Sequence, residues 1–347
     1  MLLVAAVLGL LTVARPVVAG AQSPEAKTAE PVISFTDWLA GVRAEAISKG
    51  IRAEVVDEAI ANLEEPLPIV LERDRSQAET VQPLETYLSR RLTPKMVRTA
   101  REMYTKHRPL LEEVGRHYGV SPRILVSVWG IESNFGRFSG VRPIIAALAT
   151  LAWDPRRSTF FRRELLDALE ILNRGDVELS RMRGSWAGAM GQVQFMPSSY
   201  LTFAEDFDGD GRRDIWSTPA DVFASIANYL EQHGWTADQP WGVEVRIPPT
   251  EAGGIMESVG KRDGTCRATR DMSAVAPLAR WQQLGVRLPP SASKSGSTTA
   301  ALVSGTSRHF LVYPNYDALL AYNCAHSYAI SVGLLADRIG TGVTRAK

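Results

Sequence analysis

Cysteine is scarce: Cys266 and Cys324 are the only two in 347 residues. Two thiols make a poor metal site on their own, so chemistry built on clustered cysteines is excluded. The pair leaves open a single disulfide, plausible in an exported chain, or two buried thiols. Net charge is also missing. Lys and Arg number 39 against 38 Asp and Glu, a formal +1. Without a strong field of either sign there is no electrostatic footprint for nucleic acid or an acidic membrane surface. The expected ligand is uncharged or zwitterionic. No internal repeat is visible, and no segment past the N-terminus reaches transmembrane length, which predicts a soluble mature protein.

What is present is ordinary for a globular protein. Hydrophobic residues make up 45% and charged residues 22%, enough to bury a large core over two or three domains. Leu2 to Ala14 is an apolar run of signal-peptide length, followed by the small residues Ala19-Gly20-Ala21. This predicts a signal peptide over 1–21 and an exported, soluble mature chain. No Lys or Arg precedes the run, which leaves open a start further upstream. No Cys lies near the cleavage point, so a lipid anchor is unsupported. Residues 22–31 are polar and end in Pro, the composition of a disordered leader.

From Phe35 the periodicity is helical, with Trp38, Leu39 and Val42 at spacings of three and four. A second helix is expected over Ala53 to Leu63, ended by Pro66 and Pro68. A long one should follow Thr93-Pro94, with Met96, Ala100, Met103 and Tyr104 on one face. Ser121-Pro122 reads as N-cap and first turn of a helix apolar nearly all round, through Ile124, Leu125, Val126, Val128, Trp129 and Ile131. Further helices fit Phe160 to Asn173, Ala220 to His233 and Asp317 to Leu335. Val243, Val245 and Ile247 alternate like a strand, as does Phe310 to Tyr313. The fold class is therefore mainly α with a minor β part. The regions expected are a helical one over 32–120, a core over 121–240, a small β-containing one over 241–304 rich in Gly, Pro, Ser and Thr, and a return to the core over 305–347.

Three constellations carry chemistry. Glu132 ends the apolar helix. Burial and the negative end of the helix dipole both disfavour its charge, which raises its pKa as a general acid at neutral pH requires. A Glu simply facing solvent at a helix end fits the sequence as well. The second is Arg183-Gly184-Ser185-Trp186-Ala187-Gly188-Ala189-Met190-Gly191-Gln192-Val193-Gln194-Phe195-Met196-Pro197-Ser198-Ser199-Tyr200. Its small residues permit close backbone approach. Trp186, Phe195 and Tyr200 offer flat faces of the kind sugar rings lie on, although a tightly packed helix–loop junction fits the motif nearly as well. The third is Asp206-Phe207-Asp208-Gly209-Asp210-Gly211-Arg212-Arg213-Asp214. Carboxylates at loop positions 1, 3, 5 and 9 with Gly at 6 follow the EF-hand calcium loop, although Ser217 stands where the last bidentate Glu belongs. A structural Ca2+ is expected there, with no organic cofactor. Asp154 reads as a turn residue. Glu164 and Asp167, at i and i+3 on a helix, read as solvated.

The Glu132-Ser-x-Phe-Gly run and the motif from Arg183 to Tyr200, with Ala227-Asn228-Tyr229 and Tyr322-Asn323, resemble the lytic murein transglycosylase B family. The resemblance covers the chain from about 35 to the C-terminus and is weakest over 241–305. It implies a lysozyme-like core with Glu132 as the single catalytic acid/base. It also implies a substrate cleft bearing Ser185, Gln194, Tyr229, Asn323 and Tyr328, more loosely Tyr87, with Phe135 and Met196 shaping its wall. For the metal it implies Asp206, Asp208, Asp210, the Arg212 carbonyl and a late Asp, matched by Asp221. The implied reaction cleaves the β-1,4 bond between N-acetylmuramic acid and N-acetylglucosamine in peptidoglycan, leaving 1,6-anhydro ends. The expected partners are the glycan strands and other cell-wall enzymes, with the protein itself a monomer. The rivals are a muramidase-type hydrolase on the same fold and a non-catalytic peptidoglycan-binding protein.

Overall fold

A computed structural model describes residues 33–76, 82–248, 252–290, 292 and 298–340. The expected signal peptide and leader lie outside the described residues. Residues Phe35–Lys347 make one compact unit, and among the described residues no helix is long and apolar enough to cross a membrane.

Six helices come first: α1 (Phe35–Ser48), α2 (Ala53–Ile60), α3 (Pro68–Ser76), α4 (Leu84–Arg91), α5 (Pro94–Lys106) and α6 (Arg108–Tyr118). The periodic stretch after Thr93 is therefore two helices. The Thr93 side chain caps the first by accepting from the Met96 amide at 3.2 Å, and Pro109 in the first turn of the second cannot continue a helix from before. The sequence reading passed over α3 and α4, which are short and mostly polar with a weak apolar stripe, and further on the short apolar helix Ile144–Trp153.

Helix α7 (Pro122–Ser133) is the axis of the core. It packs against α5, α6, α11 (Pro219–Gln232) and α16 (His326–Gly340), which is why its apolar residues run all round it. Leu125, Val126 and Val128 are fully buried, and cutting one such Leu back to Ala costs about 2–5 kcal/mol. Ser121 stands at the N-cap as expected, but its side chain makes no capping hydrogen bond. Between α7 and α11 come β1 (Arg142–Pro143), α8 (Ile144–Trp153), α9 (Ser158–Arg174), β2 (Arg183–Gly184) and α10 (Pro197–Phe203). The pairing of β1 with β2 brings the loop that leaves α7 beside the Gly-rich motif.

The remaining elements are β3 (Gly242–Val245), α12 (Ala252–Val259), α13 (Arg267–Arg270), β4 (Ala276–Pro277), α14 (Leu278–Gln283), β5 (Thr299–Ser304), β6 (His309–Val312) and α15 (Asn315–Tyr322). An antiparallel sheet in the order β3-β6-β5-β4 covers a second, smaller core around Trp281, Leu302, Leu311 and Tyr313. The sheet draws strands from both sides of residue 304. Its β5–β6 turn is fastened to α4, where the Glu85 carboxylate accepts from the Ser307 and Arg308 amides at 2.7 and 3.1 Å. Cys266 and Cys324 form a disulfide with Cα atoms 5.8 Å apart. Cys324 lies in a break between α15 and α16, so the single helix expected over Asp317 to Leu335 is two.

Candidate active site

Glu132 is the penultimate residue of α7. Asn134 closes the helix in the left-handed conformation, and Phe135 follows at φ +60°. The reversal folds Phe135 back onto Trp129, with ring centroids 5.5 Å apart and edge to face. This packing needs a glycine: a Cβ at Gly130 would come within 2.6 Å of the Phe135 ring.

Glu132 keeps part of its surface open, but its carboxyl group sits among protein atoms. Burial pushes its pKa up to about 7. Two neighbours work weakly in the opposite direction. The Tyr328 hydroxyl and the Arg91 guanidinium both favour the carboxylate. The Tyr328 hydroxyl is buried and faces Glu132 without the geometry of a full hydrogen bond, so burial wins. Arg91 comes from the end of α4 and donates to the Ile131 carbonyl, one of the carbonyls at the C-terminal end of α7. It thereby holds the turn that carries Glu132. No second carboxylate is among the groups that shift Glu132.

An aromatic wall flanks the carboxyl. Tyr322 and Tyr328 stack with centroids 6.2 Å apart, and Tyr322 lies 4.7 Å from Tyr229. The Tyr229 hydroxyl donates to the Ala321 carbonyl at 2.8 Å, and the Tyr322 hydroxyl to the Val193 carbonyl at 2.8 Å. Burial raises the pKa of all three phenols, that of Tyr229 to about 12, and the charge of Glu132 adds to the rise for Tyr322 and Tyr328. All three remain neutral over the working pH range.

The Gly-rich motif joins the site through Val193, whose carbonyl accepts from Tyr322. Gln194 adopts φ +54°, and its side-chain amide donates to the Gly191 and Ser139 carbonyls at 2.7 and 3.1 Å. It joins its own loop to the loop after α7. Ser185 turns its hydroxyl oxygen inward, accepting from the Ala187 and Ala189 amides at 3.2 and 3.0 Å. Asn323 is exposed where α15 ends, Tyr87 is half-buried on α4, and Met196 is half-buried at the start of α10. Glu132, Tyr322 and Tyr328 thus come together electrostatically, and Tyr229 joins them through the two tyrosines. Gln194 reaches them through its loop, and Phe135 through the end of α7.

Some expectations need correction. Phe195 is 3% exposed and Tyr200 is fully buried, so neither offers a face to a ligand. The Tyr200 hydroxyl instead donates to the Arg213 carbonyl at 2.9 Å. Glu164, expected to be solvated, is 1% exposed. Its carboxylate caps α10, accepting from the Ser198 amide and hydroxyl at 2.9 and 2.8 Å. Asp167 is half-buried. Asp154 does take a turn role, accepting from the Arg156 amide at 3.1 Å and from its guanidinium. The sequence reading also missed Tyr322 and Arg91. The Tyr322-Asn323 pair was the available signal for the first. Arg91 has none, since a basic residue at a helix C-terminus looks like a dipole partner in water.

In the acidic loop Asp206, Asp208 and Asp210 bring carboxylate oxygens within 4.8 Å of one another. Asp221 is fully buried at the start of α11. Its two oxygens accept from the Phe207 and Asp214 amides at 2.9 and 2.8 Å, clasping the loop at entry and exit. Burial raises its pKa to about 6, and the nearby charges of Asp206 and Asp208 add to this. Hard oxygen donors converging in this way fit a divalent cation of the calcium type, which would relieve that repulsion. Arg212 keeps its side chain exposed. Asp214, at loop position 9, bonds Ser217, Trp216 and Arg181 instead.

The mainly helical core has the lysozyme-like fold of solved lytic transglycosylase structures. Residues 34–337 match the transglycosylase SLT domain model, and the chain belongs to that family. It is 31% identical over 257 residues to membrane-bound lytic murein transglycosylase B of Escherichia coli strain K12, covering 73% of this chain and 66% of that one, just under two thirds of its length. Among solved structures it resembles SltB3 of Pseudomonas aeruginosa in complex with NAG-NAM-pentapeptide. That match has 42% identity and TM-score 0.79, covering 88% of this chain and 80% of that one. It also resembles the E. coli lytic transglycosylase Slt35 in complex with calcium, with 25% identity and TM-score 0.73, covering 88% and 93%.

Proposed function

We propose that this protein is a peptidoglycan lytic transglycosylase that uses Glu132 as both acid and base. The observation that carries the reading is the solitary carboxyl group of Glu132, dried by its surroundings and protonated up to a pH of about 7. A glycosidase that activates water works with two carboxyl groups about 5–9.5 Å apart. Here Asp154 is engaged by Arg156 and Glu164 by α10, which disfavours the hydrolase reading. The neutral Glu132 carboxyl donates its proton to the glycosidic oxygen between N-acetylmuramic acid and N-acetylglucosamine, and the C1–O bond breaks. The resulting carboxylate takes the proton of the muramic acid's own 6-hydroxyl, whose oxygen bonds to C1. An intramolecular nucleophile of this kind has a high effective molarity, so holding the sugar matters more than activating water. Tyr229, Asn323, Tyr328, Gln194 and Ser185 serve as the polar cleft, with Tyr87, Phe135 and Met196 at its edges. Support for the substrate comes from the complexes of SltB3 with NAG-NAM-pentapeptide and NAG-anhNAM-pentapeptide. Asp206, Asp208, Asp210, the Arg212 carbonyl and Asp221 hold a structural Ca2+, a reading supported by calcium in Slt35. A periplasmic location follows from the substrate. Digesting purified peptidoglycan and weighing the products tests the reaction. Anhydro ends are lighter than hydrolysis products by one water, and products bearing that water overturn the proposal.

A further inference from the structure

One side chain joins the acidic loop to the helix that presents Glu132. Gln192 lies in the Gly-rich motif, two residues before Gln194. Its amide oxygen accepts from the Trp129 indole Nε1 at 2.7 Å. Its amide nitrogen donates to the Trp216 carbonyl at 2.7 Å, and its backbone N–H to the Ile215 carbonyl at 2.8 Å. Each polar group of the side chain is thus engaged at short distance. Gly136 makes the space for it: it stands at φ +77°, and a Cβ there would overlap the Gln192 amide.

The two ends of this bridge matter. Trp129 lies one turn before Glu132 on α7, and its carbonyl accepts from the Ser133 hydroxyl at 3.1 Å and the Phe135 amide at 3.4 Å. It is therefore built into the reversal that aims Glu132. Ile215 and Trp216 directly follow Asp214, whose amide is clasped by Asp221. Asp221 also holds Phe207 at the loop entry. From α11, whose first turn carries Asp221, Phe223 packs edge-on against the Trp129 ring at 5.2 Å. The same indole is thus held by the loop exit, through Gln192, and by the helix after the loop.

We propose that Gln192 is a positioning residue that ties the Glu132 turn to the acidic loop through Trp129, so that a divalent cation in the loop is felt at Glu132. The inference rests on the lytic transglycosylase reading above. Both the oxygen and the nitrogen of the Gln192 side-chain amide are taken up by protein groups. It acts by fixing a turn whose displacement by a fraction of an ångström lowers turnover. Coupling of this kind requires a contiguous physical path biased from one end. The path here is Asp221 to Asp214, Ile215 and Trp216, then Gln192, then Trp129.

The variant Gln192→Met keeps length and near volume while removing both side-chain hydrogen bonds. Gln192→Glu keeps the acceptor for Trp129 but loses the donor to Trp216, and it guards against a folding failure of the first. On soluble glycan fragments, Gln192→Met should lower kcat about 10- to 100-fold with KM unchanged within about twofold. Gln192→Glu should fall between it and the parent. Calcium alone is the probe for the coupling. In the intact protein the Trp129 indole N–H resonance, assigned by Trp129→Phe, should shift on calcium addition. In Gln192→Met that shift should disappear although calorimetry still records binding. Full kcat in Gln192→Met, an indole resonance indifferent to bound calcium in the parent, or no calcium binding at all each overturns the inference. A parent that releases no anhydro product overturns the functional reading instead, and mass analysis of the parent's products separates the two failures.

Discussion

Two carboxylate sites in this molecule solve opposite problems with the same functional group. At the end of α7 a single Glu is enclosed by tyrosines and apolar side chains, and burial keeps its proton on to a pH of about 7. In the loop after α10 three Asp side chains crowd within 4.8 Å, and two of them are exposed. Isolation and dryness make a carboxyl group an acid, whereas crowding at a wet surface makes it a cation ligand. Asp221 lies between these cases. It is buried and raised to about 6, yet held by two backbone amides rather than left to a substrate.

The largest expected effect breaks the first site. Glu132→Gln removes the exchangeable proton and should lower turnover by about 10²–10⁴-fold while glycan binding persists. Release of anhydro products and a parallel binding isotherm report this, and retained turnover removes Glu132 from the mechanism. The next concerns pH. The acid must be protonated, so kcat/KM should fall about tenfold per pH unit above a pH of about 7. A profile flat from pH 6 to 9 contradicts it.

A stability measurement sharpens the comparison. The folded Glu132 binds its proton more tightly than the unfolded chain does, so the unmutated protein loses stability as pH rises from the unfolded value of 4.5 to about 7. Glu132→Gln escapes that loss, by about 3 kcal/mol at pH 8 and by nothing below pH 4.5. Melting curves at the two pH values test it, and equal differences at both would falsify the burial of the carboxyl. The loop predicts a gain instead, because a cation gathered by Asp206, Asp208 and Asp210 binds the folded chain and not the unfolded one. Saturating calcium at a hundredfold excess over Kd adds about 2.7 kcal/mol. Asp208→Asn should abolish most of that gain, read as the calcium-dependent rise in Tm.

Much of the first site was legible because its cause is local. An apolar helix from Pro122 with a Glu at its end marks the candidate acid, and only the packing decided that this Glu is buried rather than facing solvent. The acidic loop was legible for the same reason, its three clustered carboxylates being two residues apart. Phe195 and Tyr200 misled because aromatic residues serve equally in cores and clefts, and only packing decides. Glu164 misled because its partner, the start of α10, lies 34 residues away.

The sequence alone determined where several helices start, which helix is buried on all sides, which carboxyl group ends it, and where acidic side chains cluster. These depend on spacing within one turn or one loop, and the chain's own geometry sets them. Only the tertiary structure decided that Arg91 steadies the Glu132 turn, that Tyr322 and Tyr328 wall it in, that Cys266 finds Cys324, and that Gln192 links the loop to α7. Those contacts join segments dozens to hundreds of residues apart. Whether such side chains meet is settled by how helices pack around a shared core, which no local pattern encodes.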